Sequence, residues 1–166
     1  AKRWLEQYGS RYAAFKATLL GDDLFCNQPL CERVLAQKFN FIFVCKPDSH
    51  PEVYQMVAFL EANGLVEQFS ERVWKGKYAE IFTYRFVNQV PLRAGADALK
   101  VNWCELSIQR ETTGKITYRN AWATPHEITR TSVQAIVQAG RTRWKVENEN
   151  NNVLKTKGYH FEHNFG

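Results

Sequence analysis

The stretch Phe15-Lys16-Ala17-Thr18-Leu19-Leu20-Gly21-Asp22-Asp23, followed by Asn27-Gln28-Pro29 and then Phe39-Asn40-Phe41-Ile42-Phe43-Val44-Cys45-Lys46, decides how this chain is read. Residues 15–20 read as a short buried strand stopped by Gly21-Asp22-Asp23. Pro29 suits the first turn of a helix running to about Gln37, with Asn27 as its cap, and residues 39–46 form an apolar run of central-strand length. Strand, helix, strand with a right-handed crossover places the two strands parallel in one sheet. The Asp22-Asp23 pair then stands at the carboxyl end of a strand, where open α/β sheets place their sites.

Outward from this unit, residues 3–14 carry a helical period. Pro47-Asp48-Ser49-His50-Pro51 is a turn and helix start, and Val53, Val57 and Leu60 space a helix that ends near Asn63-Gly64. The pattern then changes. Residues 78–87, 101–109 and 116–122 alternate, with Phe82, Tyr84 and Phe86, then Cys104, Leu106 and Ile108, then Ile116, Tyr118 and Trp122 on one face, as half-buried antiparallel strands do. Glu111 to Lys115 forms the loop between the last two. A helical period returns at Thr131, with Thr131 or Ser132 as cap, and runs to about Thr156 before Gly158. There is no repeat and no linker, so the chain reads as one α+β or α/β domain, or part of one.

Composition excludes several classes. At 166 residues and 45% hydrophobic content the chain hides roughly 70% of its unfolded surface and needs no disulfide or metal staple. No apolar run approaches the roughly 20 residues of a membrane-spanning helix, and Ala1 to Glu6 lacks the apolar stretch of a signal peptide, so a cytoplasmic protein is expected. The 22 Lys and Arg against 17 Asp and Glu give +5, a balance that admits an anionic partner. That excess gathers late, where Arg130, Arg141, Arg143, Lys145, Lys155 and Lys157 face only Glu147 and Glu149. Cys26, Cys45, Cys31 and Cys104 show neither C-x-x-C spacing nor a secreted framework, so reduced, mostly buried thiols are expected and no zinc site.

One carboxylate departs from the ordinary pattern. Stepping 100° per residue along the last helix puts Val133, Ile136, Gly140, Trp144 and Leu154 within about 60° of Glu147, in the middle of an apolar face. A carboxylate there needs a partner or a cation, and Arg143 one turn earlier would serve as a structural salt bridge. Asp22 and Asp23 have an equally plain alternative as turn and cap residues. A carboxylate at a strand end together with one on a packed helix is also the arrangement that holds hard cations such as Mg²⁺, and two such ions about 3.5–4 Å apart can drive phosphodiester chemistry. A basic helix beside them would hold phosphates.

Three blocks, residues 21–30, 41–47 and 141–150, occur in an order that resembles the catalytic domain of bacterial insertion-sequence transposases of the DDE type, and residues 155–166 fit the same family. The resemblance covers nearly the whole chain. It implies an RNase H-like core with three metal-binding carboxylates, of which Asp22 matches the second, with Asp23 as the alternative, and Glu147 the third. It implies two Mg²⁺ or Mn²⁺ ions, double-stranded DNA as partner, a dimer assembled on DNA, and residues 78–124 as an inserted β-rich segment. Arg143 matches the basic residue of the family's R-x-x-x-E pattern, with Arg141, Lys145 and Lys157 as further DNA contacts. The family's Tyr falls on Gly140 and its Lys on Leu154, one place before Lys155, which stands as its substitute. The first carboxylate has no counterpart, so the chain reads as a partial domain lacking its first three strands. In the insertion, Trp122 or Trp103 is either a core side chain or an aromatic that stacks a flipped base. His160 and His163 read as structural or DNA-proximal. The competing readings are a catalytically inactive DNA-binding remnant and an RNase H-like nuclease.

Overall fold

The computed structural model describes residues 2–145. Helix α1 (Lys2–Tyr12) passes into a 3₁₀ turn (Ala13–Phe15) that ends at Lys16, whose φ of 46° is left-handed. A left-handed residue does not fit a pleated strand, so β1 (Thr18–Gly21) starts later than residue 15 and Phe15 stays exposed. Asn27 caps α2 (Gln28–Ala36) by accepting the Leu30 N–H at 3.2 Å, and Pro29 lies in the first turn, where a missing N–H costs nothing. Strand β2 (Asn40–Val44) pairs parallel with β1, as the sequence predicts.

Helix α3 (Pro51–Ala62) then carries the chain to the far edge of the sheet. There β3 (Glu67–Trp74), β4 (Ala79–Pro91), β5 (Lys100–Arg110) and β6 (Ile116–Thr124) return as an antiparallel meander. β6 closes on β2 with Phe43 opposite Ala123 and Val44 opposite Trp122. The order is β1-β2-β6-β5-β4-β3, and α4 (Val133–Lys145) follows. The fold is therefore mixed α/β, a six-stranded mixed sheet with four α-helices among the described residues. The strands within residues 78–124, β4 to β6, belong to the same hydrogen-bonded sheet as β1 and β2.

Both faces of the sheet are covered. Phe41, Phe43, Val101, Trp103, Ala121 and Ala123 pack under Leu5 of α1, Leu30 and Val34 of α2, and Val53 and Val57 of α3. Ile42, Val44, Phe86, Cys104, Leu106 and Trp122 pack under Val133, Ile136 and Val137 of α4. This corrects the expectation of half-buried strands at the centre: residues 101–106 are buried without interruption because helices lie on both sides. Asn88 and Asn102 fix the connection from β6 to α4. The Asn88 amide exchanges hydrogen bonds with the Ile128 backbone, and Asn102 donates to the carbonyls of Pro125 and His126. Among the described residues no helix is long and apolar enough to cross a membrane.

Candidate functional site

The carboxyl ends of β1 and β2 and the last turns of α4 meet in one place. Gly21 ends β1 with the rings of Phe43 and Phe25 against its Cα, and a Cβ there would come within 2.6 Å and 3.0 Å of them. Packing of these two aromatics thus fixes where Asp22 leaves the sheet. Asp22 then opens a 3₁₀ turn (Asp23–Phe25), its Oδ1 accepting the Asp23 N–H at 2.8 Å. Its side chain remains 45% exposed and lies with Oδ1 4.0 Å from Nη2 of Arg143 on α4.

Asp23 points elsewhere. It accepts the Lys46 N–H at 2.8 Å and the Ser49 hydroxyl at 2.5 Å, lies 3.4 Å from His50 Nε2, and is only 12% exposed. Of the two carboxylates it ties the turn after β1 to the loop after β2, whereas Asp22 faces the open side.

The cleft beside Asp22 is floored by Val44 and lined by Tyr118, Asn120, Gly140, Arg141 and Arg143, with a volume of about 330 Å³. Gly140 is what lets α4 approach: a Cβ there would meet the Trp122 indole at 2.5 Å. The Arg141 guanidinium lies over the Tyr118 ring at 4.7 Å, and the exposed Lys46 and Arg119 line a second hollow that shares Asn120 with the first. Positive side chains therefore border this open surface, and Arg143 at its rim meets the exposed Asp22 carboxylate.

The structure brings together Asp22, Arg141 and Arg143 among the sequence-predicted residues. Lys145 lies on the last turn of α4. Glu147, Lys155, Lys157, His160 and His163 lie outside the described residues. Trp122 and Trp103 are fully buried, so the DNA contact expected of Trp122 is corrected: it is a core side chain under α4 with no face to offer a base. Trp103 packs edge-on against Tyr54 in the opposite core.

One grouping was not expected from sequence. Cys26, Cys45 and His50 are all buried and place one ligand atom each within 4.8 Å of the others. Contacts with the Cys26 thiol first, and with the Asp23 carboxylate, raise the His50 imidazole above its ordinary value against the opposing effect of burial. Cys104, buried in the other core, is pushed up to about 12 by burial alone. No protein-family model matches this chain, and no curated protein matches it either.

Proposed function

We propose that the chain is part of a DDE-type transposase catalytic domain with an RNase H-like core, acting on double-stranded DNA at transposon ends. The observation that supports this reading best is the approach of Asp22, at the end of β1, to Arg143, on α4. These are two members of one family pattern from distant parts of the chain, met beside an open basic cleft.

The donor chemistry fits a hard cation: Asp22 is an exposed carboxylate at a strand end, beside a cleft open to solvent. Asp22 and Glu147 would hold the two Mg²⁺ or Mn²⁺ ions. Ions held there would supply activation of a water or 3′-hydroxyl and stabilisation of the leaving oxygen of a phosphodiester. Arg143, with Arg141 beside it, positions the phosphate backbone, and Lys145, Lys155 and Lys157 extend that contact along the DNA. On this reading the first carboxylate comes from a strand outside the chain. β1 is at the sheet edge, and a strand paired there runs about 4.8 Å away, which sets a carboxylate at its end beside Asp22. A dimer spanning two DNA ends belongs to the same reading.

The test uses the full-length protein. Glu147→Gln and Asp22→Asn are each expected to abolish strand cleavage and leave binding of transposon ends largely intact, whereas Asp23→Asn retains cleavage and loses stability. Cleavage surviving Asp22→Asn would sink the assignment. Hydrolysis without joining of a 3′-hydroxyl end would instead identify an RNase H-like nuclease.

A further inference from the structure

The turn after β1 and the two ends of the loop from β2 to α3 converge beside Asp23. Cys26 closes the 3₁₀ turn after β1. Cys45 follows β2, where its N–H donates to the Ala121 carbonyl at 2.9 Å and its own carbonyl accepts the Tyr54 hydroxyl at 2.8 Å. His50 stands at the start of α3, its N–H bonded to the Lys46 carbonyl at 3.1 Å. The backbone at all three positions is thus held by hydrogen bonds of the surrounding fold.

The ordinary explanation of a buried thiol, a small apolar side chain filling a core, covers Cys31 and Cys104. It does not cover this group. The His50 side chain is only 9% exposed, and its Nε2 is shut off from solvent without a well-formed hydrogen bond. A buried polar atom of this kind is a cost that a bound cation removes. The spacing is also right. Ligands at the usual Zn–S and Zn–N distances of a tetrahedron sit about 3.3–3.8 Å apart, and the three ligand atoms lie within 4.8 Å of one another before any ion draws them in. Two thiols and an imidazole form a donor set suited to Zn²⁺ and unlike the carboxylate oxygens that suit Mg²⁺.

We propose that Cys26, Cys45 and His50 bind one Zn²⁺, and that this ion clamps the turn bearing Asp22 to the end of β2 and the start of α3. Asp23, whose Oδ1 lies 3.4 Å from His50 Nε2, is the adjacent carboxylate and completes the shell. Binding releases the two thiol protons to solvent, with no change of oxidation state. The site is closed and structural, and it does not depend on the functional reading of the cleft.

The test titrates the reduced, chelator-stripped 166-residue chain with Co²⁺ alone. One equivalent is expected to produce the intense visible absorption of tetrahedral cobalt–thiolate, which Zn²⁺ then abolishes. Cys26→Ser and Cys45→Ser lose the absorption; Cys104→Ser and Asp22→Asn keep it; Asp23→Asn weakens binding by about 10–100-fold. If the serine variants do not fold by circular dichroism, the unsubstituted chain decides, because its Co²⁺ spectrum and the rise of its Tm with added Zn²⁺ need no variant. A folded, reduced chain without cobalt–thiolate absorption overturns the proposal, as does absorption unchanged in both serine variants, or a Cys26–Cys45 disulfide in the chain purified without oxidant.

Discussion

Glu105 shows how much a single buried charge can organise. It lies on β5 and is 4% exposed. Arg85 reaches it from β4 at 3.1 Å, and Arg119 from β6 through two bonds at 2.9 Å and 3.2 Å. Arg85 also pairs with Glu61 of α3 at 2.6 Å, so the group ties three strands to a helix. Removing the carboxylate leaves Arg85, itself 16% exposed, without its central partner. Because Arg85 keeps Glu61, Glu105→Ala is expected to cost about 1–3 kcal/mol of unfolding free energy, measured by urea denaturation. Arg119 is 56% exposed, so Arg119→Ala is expected to cost under about 1 kcal/mol. Equal costs would mean that Arg119, not burial, fixes the group. From sequence this glutamate reads as a solvent-facing position, because it alternates with Cys104 and Leu106. Its face is instead covered, with Arg85 lying over Trp103 and Trp103 against Tyr54 of α3.

Among the elements, α4 sets the geometry of the site because it is the helix that carries Arg143 to Asp22. Its contact with the sheet turns on Gly140 over the fully buried Trp122. Helix propensity alone favours Ala over Gly by about 1 kcal/mol. Here the added Cβ would meet the indole at 2.5–2.8 Å, and Trp122 has no room to withdraw. Gly140→Ala is therefore expected to destabilise by about 1–3 kcal/mol, read as a lower Tm, and to lift the end of α4 from the sheet. A gain in stability would show that α4 packs more loosely than this contact requires. The apolar face of α4 was legible because Val133, Ile136, Val137 and Gly140 recur at helical spacing, and the strand–helix–strand unit because β2 is a continuous apolar run. β3 was not, since Glu67, Glu71 and Arg72 on an exposed edge strand obscure the alternation of Phe69 and Val73. The Cys26, Cys45 and His50 group was equally invisible, because tertiary packing and no local motif assembles it.

For the molecule as a whole, the sheet separates two cores, and the connection from β6 leads to α4 over one of them. His126 sits on that connection and bonds Thr18 of β1 through Nε2 at 3.0 Å, which ties the connection to the sheet edge. Burial holds its imidazole below the ordinary value, so the folded state favours the neutral ring. The sign of the effect follows from proton counting. Between the ordinary His value of about 6.5 and the lower folded value, the unfolded chain binds more protons than the folded one, so stability rises with pH there. The contribution is fully present above about pH 6.5 and is lost as pH falls through the folded value. The expected outcome is a progressive drop in the urea midpoint of the unsubstituted chain below about pH 6.5, part of which disappears in His126→Gln, whose amide can still meet Thr18. Carboxylates shared by both proteins cancel in the difference between the two profiles. A difference that stays flat from pH 7 to 5 would show that His126 titrates alike in both states and that its bond to Thr18 does not depend on a neutral ring.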